Sequence, residues 1–543
     1  MDLQHNIYNT LKQLVAIPSV SGTQGENKAS KKIYQILSEM PYFKVNKNKF
    51  GSEAVPKDFL GREFIWAILE GKTSSKDTVI LTAHYDVVDV EEFGHLKAVA
   101  FDMEECTKRI SELKLDKDAL KDLESGDWIF GRGTADIKSG IAAYLEIIRE
   151  ISEKRNFKGN ILLLLVPGEE SNSEGMIASI PFLLKLQDEK CFNYVGAIVS
   201  ECSIPENEND NFKRIYMGSV GKIMPMFFCI GKETHVREPF KGFNPNTLVS
   251  EINRLLEGNP DFCDTVNHKT SPPPMALKQM DLKMLYSVQS PLFAVAYYNI
   301  LTLNRSEEVL SKELKELSYN AFENVISDLK EKRDRFIKIS CEDIQFVDIE
   351  PCVMTYGELL LQVKETDPKF VNLLIEKIKI WKKQKVDNQN IAINIVRETY
   401  EKYESKRPMI VISYIPPYYP HIHLNARNDK DKKFMEVIDE TIKYAEEEFN
   451  EKIIKDDFFM GISDLSYTGM EGNQNFDSFT SNIVGYGITY DLNLEALSRL
   501  NIPGVVFGGE GKDIHKNTER LNMPYSLKVV PELYKYIIYS MLK

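Results

Sequence analysis

The chain of 543 residues has few cysteines that could form pairs. Its seven cysteines are an odd number and include no Cys-x-x-Cys motif; they are Cys106, Cys191, Cys202, Cys229, Cys263, Cys341 and Cys352. This pattern disfavours a disulfide scaffold and a zinc site built from cysteines. It favours a reducing, cytoplasmic environment.

Long apolar runs are missing as well. The longest candidate, Ile161 to Pro167, has the length of a strand, whereas a membrane-spanning helix needs about 20 apolar residues. The N-terminal sequence MDLQHNIYNTLKQL has no apolar core of the kind found in signal peptides. We therefore expect a cytoplasmic protein with no membrane partner.

The sequence also lacks an excess of positive charge. The formal net charge is −13, so there is no basic excess to neutralise the phosphates of a nucleic acid. We therefore expect no nucleic-acid partner. Apolar residues make up 43% of the chain, which is typical of globular proteins, and the length indicates more than one domain.

Helix-like and strand-like segments alternate in the first 200 residues. Apolar runs at 64–69, 78–83, 160–167 and 194–199 predict strands, and helical spacing at 138–151 predicts a helix among them. This order predicts an α/β fold in which a mixed, mostly parallel sheet is sandwiched by helices.

The middle of the chain has a different pattern. Long helical stretches, 307–335 and 370–385, and isolated strand-like runs replace the alternation, which returns with a strand-like run at 409–415. We predict a catalytic domain in two parts, residues 1–212 and residues 409–543. An α+β lid domain, residues 213–408, is inserted between them.

Three of the predicted strands run directly into residue types that bind metals. These residues are His84, Asp86, Glu169, Glu170 and Glu201. Asp136 precedes the helix predicted at 138, and His515 follows the strand predicted at 504–507. Because sites of open α/β sheets lie at the carboxyl ends of the strands, we expect these side chains to converge at one rim.

Each of these motifs has an ordinary explanation when it stands alone. An isolated His-x-Asp is usually incidental, and a glutamate pair is usually solvated surface in a chain with 81 acidic residues. The segment from Gly131 to Asp136 also looks like a dinucleotide-binding glycine motif, but Asp136 occupies the third glycine position. A nicotinamide-dependent oxidoreductase is therefore a poor alternative.

Together the motifs resemble the zinc-dependent aminoacylase, glutamate carboxypeptidase and acetylornithine deacetylase family of metallopeptidases. The matching segments follow the family's order: IPSVSGTQGE at 17–26, His84-x-Asp86, Gly131 to Gly140, Glu169-Glu170, Ser200-Glu201, and HKNTE at 515–519. The resemblance implies a dinuclear-metal hydrolase that cleaves an amide or peptide bond. Its partner would be a small, amino-acid-derived substrate or dipeptide, and it would act as a peptidase or an N-acyl-amino-acid deacylase.

The resemblance also implies the metal ligands. Asp136 would bridge two divalent ions. His84 and Glu201 would complete one site, and Glu170 and His515 would complete the other. Imidazole and carboxylate ligands suit zinc, and cobalt or manganese could bind the same set.

Further residues would take part in catalysis. By resemblance, Glu169 is the general base. Asp86 would accept a hydrogen bond from the free ring nitrogen of His84 and so fix its tautomer. His235, in GKETH, matches a lid histidine that stabilises the oxyanion, and Asn244 lies where the family often has an asparagine near the substrate.

Two structural features follow from the same resemblance. The family has a cis peptide bond after the bridging aspartate, so we expect one between Asp136 and Ile137. In dimeric relatives the lid histidine comes from the partner subunit, which leaves open a homodimer through the lid with His235 acting in trans.

Two segments depart from the family's pattern. A charged, helical insertion at 91–127 separates Asp86 from Asp136, and the lid is enlarged, with extra material at 267–286 and 350–405. A lid of this size resembles the arginine-utilisation (RocB-like) branch of the family. Arg305 and Arg407 are both candidates for the arginine that binds a substrate carboxylate.

The alternative from another functional class is a catalytically silent relative that binds an amino acid or a partner through its lid. Such a relative usually lacks a metal ligand or the base, whereas all five ligands and Glu169 are present here. The completeness of the set favours an enzyme and leaves its substrate and its native metal open.

Overall fold

The computed structural model describes residues 2–205, 210, 212–470 and 476–543. Within these residues the helices are α1 (Leu3–Val15), α2 (Gln24–Glu39), α3 (Pro41–Val45), α4 (Met103–Arg109), α5 (Lys117–Ser125), α6 (Ser139–Lys154), α7 (Glu174–Lys190), α8 (Pro245–Leu256), α9 (Glu307–Ser340), α10 (Tyr356–Thr366), α11 (Phe370–Lys383), α12 (Asn388–Lys402), α13 (Asp429–Phe449), α14 (Phe476–Thr480), α15 (Leu494–Leu500) and α16 (Val530–Met541).

The strands are β1 (Phe50–Ala54), β2 (Glu63–Glu70), β3 (Asp77–His84), β4 (Trp128–Phe130), β5 (Asn160–Val166), β6 (Asn193–Val199), β7 (Lys213–Tyr216), β8 (Gly218–Ser219), β9 (Gly221–Ile223), β10 (Pro225–Ile230), β11 (Thr265–Val266), β12 (Lys269–Thr270), β13 (Met275–Asp281), β14 (Phe293–Thr302), β15 (Val353–Thr355), β16 (Met409–Tyr414), β17 (Ile422–His423), β18 (Ile453–Asp456), β19 (Gly504–Val506), β20 (Gly511–Lys512) and β21 (Arg520–Asn522).

The chain forms two units. The first contains Met1–Ser219, Ile422–Glu471 and Glu495–Lys543, and the second contains Val220–His421 and Gly472–Leu494. The predicted lid, 213–408, begins and ends earlier than the second unit. The strand that follows Pro408 explains the difference at the second boundary, because β16 pairs with β10 and β15 of the second unit.

An eight-stranded sheet with the order β1-β2-β5-β3-β6-β19-β7-β18 forms the centre of the first unit. Its four middle strands, β5, β3, β6 and β19, are mutually parallel. They are almost wholly buried because their apolar residues face helices on both sides. The predicted α/β class with a mixed, mostly parallel sheet is confirmed.

Helices cover this sheet through one continuous apolar cluster. Leu11 of α1, Ile148 of α6, Ile438 of α13 and Ile538 of α16 all belong to it, together with Leu163 of β5. The apolar spacing that predicted α6 therefore faces the sheet, as expected for an amphipathic helix.

The second unit has its own sheet, with the order β13-β14-β10-β16-β15 and with β9 also pairing with β14. Its apolar core includes residues of β10, β16 and the helices α10, α11 and α12. None of the helices in the described part of the chain combines the length and the apolar character that a membrane crossing needs.

The start of α6 packs directly against the segment that follows β6. A Cβ atom added to Gly140 would lie 1.9 Å from Ser200 Oγ and 2.7 Å from Ser200 Cβ. A side chain at position 140 would therefore clash where α6 passes Ser200, the residue just before Glu201.

We predict that Gly140→Ala lowers the free energy of unfolding by about 1–3 kcal/mol, the usual cost of overpacking. Helix propensity alone would stabilise the alanine variant by about 1 kcal/mol. A loss of stability would therefore come from the clash with Ser200. Adding Ser200→Gly to the same chain should recover part of it. Denaturant unfolding of the two single variants and the double variant measures this, and purely additive losses would contradict the predicted contact.

Candidate metal centre

The middle strands of the first sheet end at the same rim. His84 is the last residue of β3 and lies opposite Val166, the last residue of β5. Glu169 and Glu170 follow β5 after a Pro-Gly turn, and Glu201 follows β6 after one residue. The parallel register thus brings these side chains together, since each lies just beyond the carboxyl end of its strand.

Asp136 lies between two histidines. Its Oδ1 is 3.1 Å from His84 Nε2, and its Oδ2 is 3.0 Å from His515 Nε2. Although burial opposes ionisation, the hydrogen bonds with His515 and His84 lower the pKa of Asp136. One carboxylate therefore contacts an imidazole on each side.

Together with Asp136 and the two histidines, the other acidic side chains form two groups of potential ligand atoms. The atoms of each group lie close enough together to bind one metal ion. His515 Nε2 is also 3.1 Å from a carboxylate oxygen of Glu170, and His84 Nε2 is 4.0 Å from Glu201 Oε1. His84, Asp136 and Glu201 form one group with donor atoms within 4.8 Å of one another, and Asp136, Glu170 and His515 form another. Asp136 belongs to both groups.

Glu169 lies beside this pair of groups. It forms a third group of donor atoms with His84 and Glu170, again within 4.8 Å of one another. The adjacent glutamates thus both face the centre.

One proton of His84 can be placed from its surroundings. Its Nδ1 lies 3.1 Å from the main-chain oxygen of Asp86. A carbonyl oxygen can only accept, so Nδ1 carries a proton whether the imidazole is neutral or charged. Burial lowers the pKa of His84, but the hydrogen bond with Asp136 and the nearby carboxylates raise it well above the ordinary value. Nε2 lies 3.1 Å from Asp136 Oδ1, and a bound divalent ion would take the place of the proton on Nε2.

Asp86 contacts the centre differently from the predicted arrangement. Its carboxylate Oδ1 is 3.6 Å from His84 Nδ1, beyond hydrogen-bonding distance. It instead accepts hydrogen bonds from the backbone N–H groups of Glu169, at 3.1 Å, and Glu170, at 3.0 Å. Asp86 therefore orients His84 through its main chain and fixes the glutamate turn through its side chain.

The centre has more buried negative charge than the protein itself neutralises. Burial raises the pKa of Glu169 and Glu201 well above the ordinary value, and neighbouring carboxylates raise it further. Burial and the charge of Asp136 also raise the pKa of Glu170. Divalent cations would relieve this repulsion, and imidazoles with carboxylates are a donor set that suits them. The residues present therefore fit a pair of divalent metal ions.

Glu519 holds the loop that carries Asp136. Its buried carboxylate accepts hydrogen bonds from the N–H groups of Gly133, at 2.9 Å, Ala135, at 3.2 Å, and Asp136, at 3.3 Å. The guanidinium of Arg132 also donates to it at 2.5 Å. The expected cis peptide bond between Asp136 and Ile137 is present in the same loop.

Asp464 is a buried carboxylate whose charge acts on the centre and which the sequence patterns did not indicate. It is 1% exposed, and burial raises its pKa to about 7 although His84 and the Ser173 hydroxyl lower it. Its charge raises the pKa of Glu169 and Glu201. Asp464 begins a short 3₁₀ turn rather than following a strand, so the strand-end rule gave no signal for it.

The predicted lid residues lie in the second unit. His235 is exposed, and its Nδ1 accepts from the N–H of Arg237 at 3.2 Å. Asn244 caps α8, accepting from the N–H of Asn246 at 3.0 Å. The Arg305 guanidinium contacts Glu313 at 3.2 Å and two main-chain oxygens, and Arg407 is exposed.

Comparison with known proteins gives a consistent answer. The model of peptidase family M20/M25/M40 matches residues 80–490. The chain is 36% identical to the uncharacterized protein YqjN of Bacillus subtilis, over 98% of this chain and 96% of that protein. It is 31% identical to protein RocB of the same organism, over 96% and 92% of the two chains. The predicted resemblance to the RocB-like branch is thus confirmed.

A solved structure agrees at the level of the fold. A tripeptidase from Staphylococcus aureus superposes with a TM-score of 0.54 and 14% identity, covering 99% of this chain and 98% of that chain. At this level of identity the likeness concerns the fold alone.

We predict that Asp86→Asn weakens metal binding by roughly 10- to 100-fold, as changes to groups that orient ligands usually do. An asparagine has one acceptor oxygen, so it cannot accept from both Glu169 N–H and Glu170 N–H without turning an NH₂ group toward one of them. Chelator competition on folded protein measures the affinity. Asp89→Asn makes the same charge change three residues away, and equal affinities in the two variants would contradict the assignment.

Proposed function

The chain belongs to peptidase family M20/M25/M40 and is a metal-dependent hydrolase of amide or peptide bonds. From this premise we propose its substrate class, its metal ligands and its catalytic residues. The substrate is a small amino-acid derivative, either a short peptide or an N-acyl amino acid. The observation that carries the proposal is the position of Asp136, which is shared by two groups of potential metal ligands.

The residues that would hold the metals follow from those groups. His84, Asp136 and Glu201 would hold one divalent ion, and Asp136, Glu170 and His515 would hold the other. Zinc is the proposed metal, with cobalt and manganese as alternatives. Bound ions would supply Lewis-acid activation of water and polarisation of the scissile carbonyl.

Glu169 is the proposed general base. Its carboxylate lies among the donor atoms of His84 and Glu170, and its main-chain N–H is fixed by Asp86. It would take the proton of the attacking water and deliver it to the nitrogen of the leaving amine. His235 of the lid is the proposed oxyanion donor and Asn244 a proposed substrate contact.

Two features support arginine-derived substrates within this class. The chain matches RocB over nearly its whole length, and it has the enlarged lid by which it resembles the arginine-utilisation branch. A screen of dipeptides and N-acyl amino acids that includes arginine and ornithine derivatives tests this. Turnover confined to substrates without either residue would contradict it.

We predict that Glu169→Gln retains both metal ions and lowers kcat by at least about 10²- to 10⁴-fold, the usual contribution of a positioned acid–base group. Glutamine keeps the size of the side chain but cannot take up the proton. Metal content and steady-state rates are measured on the same preparation. Glu150→Gln, which removes a surface partner of Lys535, is the matched control. Full activity in Glu169→Gln would remove the assignment.

Removal of the metals should abolish turnover in the unaltered chain. We expect about two ions per chain, as in other dinuclear hydrolases, and recovery of activity when zinc, cobalt or manganese is returned to the apoprotein. A metal-free preparation with undiminished activity would overturn the mechanism.

A homodimer through the lid and a cytoplasmic location stay predictions. The chain has a mass of 62.4 kDa, so light scattering distinguishes a monomer from a dimer of twice that mass.

A further inference from the structure

The insertion, residues 91–127, is a separate small structure beside the centre. It contains α4, α5 and two short 3₁₀ segments, Glu91–Val99 and Ile110–Glu112. Its apolar side chains, including Phe93 and Cys106, form a cluster with Trp128 and Phe130 of β4. The strand β4 then pairs with β21, so the insertion is joined to the segment that follows His515.

We call residues 511–522 the His515 hairpin, which consists of β20, a loop and β21. His515 lies in the loop and is therefore not supported by strand pairing, unlike His84 at the end of β3. Its side chain is 50% exposed, and its φ of +67° is in the left-handed region. A ligand in this position needs support from neighbouring groups to keep its geometry.

A partly buried ionic cluster joins one side of the hairpin to α5. The guanidinium of Arg520, whose side chain is 1% exposed, donates to Asp122 at 2.7 Å and to Asp118 at 2.6 Å. Lys512 Nζ lies 2.9 Å from carboxylate oxygens of the same two aspartates. Both cations also lie over the ring of Trp128: Lys512 Nζ is 4.8 Å and Arg520 Cζ is 5.7 Å from the ring centroid.

The other side of the hairpin contacts the beginning of the insertion. Asn517 Nδ2 donates to the main-chain oxygen of Glu92 at 3.1 Å. Arg132, which lies over the ring of Phe93 at 5.4 Å, donates to the main-chain oxygen of His515 at 3.2 Å. His515 is thus placed between two attachments to the same insertion.

We propose that the insertion holds the His515 hairpin in the geometry of a metal site, with Asp118 and Asp122 as positioning residues that act through Arg520. The inference rests on the proposed function, since it takes His515 as a ligand. It assigns a task to a segment that departs from the family's pattern. It also predicts that damage to the cluster affects the two metal ions unequally.

The experiment compares Asp118→Asn/Asp122→Asn with the unaltered chain. The change removes both carboxylates through which α5 pairs with Arg520 and Lys512, while Arg520 keeps its pairing with Asp513 inside the hairpin. The hairpin therefore loses its ionic attachment to the insertion and should shift. The ion held by Asp136, Glu170 and His515 should bind roughly 10- to 100-fold more weakly, while the ion at His84 and Glu201 keeps its affinity. Zinc titration of the apoprotein by calorimetry, with chelator competition, measures the two affinities separately.

The matched control is Glu112→Gln. Glu112 belongs to the insertion and pairs on the surface with Arg109, at 2.8 Å, and His95, at 3.1 Å, and both partners lie within the insertion. Its removal should leave both zinc affinities unchanged. Unchanged affinities in the double variant as well, or an equal weakening of both ions, would overturn the inference.

A second variant keeps the test decisive if the double variant does not fold. Asn517→Ala removes the contact with Glu92 at a partly exposed position, and we expect a severalfold weakening of the same ion alone. Two unchanged affinities in this variant would contradict the inference. An unaltered chain that binds no zinc would instead contradict the proposed function, so the two failures are distinguishable.

Discussion

The carboxylate of Asp136 has an imidazole on each side, and the other polar groups of the centre are arranged around this contact. His84 has a proton on the ring nitrogen that faces a main-chain oxygen, and its other ring nitrogen lies 3.1 Å from the carboxylate. Further buried carboxylates lie on both flanks, and their burial and mutual repulsion raise their pKa values. Such an arrangement is costly without cations and favourable with them. The metal-dependent chemistry of the family follows from this electrostatic constraint.

Hydrogen bonds from the main chain determine where the ligands lie. Asp86 accepts from two successive N–H groups of the glutamate turn, and Glu519 accepts from the loop that carries Asp136. Neither carboxylate is among the proposed metal ligands, yet each fixes the backbone that presents one. Arg132 connects these loops further, since it pairs with Glu519 and also donates to the main chain of His515. In addition to Asp86 and Glu519, the insertion supports the His515 hairpin through its contacts with Arg520, Lys512 and Asn517.

Much of the fold could be predicted because parallel strands have a simple signature. The buried runs before His84, Glu169 and Glu201 are apolar and short, and each runs into polar residues where the strand ends. The boundary of the lid was harder to predict, since β16 is as apolar as the strands of the first sheet and only its pairing assigns it to the second unit. The task of the Asp86 side chain could not be predicted, because it depends on N–H groups more than 80 residues away in the chain. Asp464 gave no signal either, since an isolated aspartate in a turn has no distinctive spacing.

The most direct test of this account is a crystal structure of the metal-loaded protein, with anomalous scattering recorded at the zinc edge. The account predicts two peaks, one on each side of the Asp136 carboxylate and about 3.5–4 Å apart, as in other two-metal sites. One peak would contact His84 and Glu201, and the other Glu170 and His515. A zinc peak that does not contact Asp136, or a fully active crystal with no peak at this rim, would contradict it.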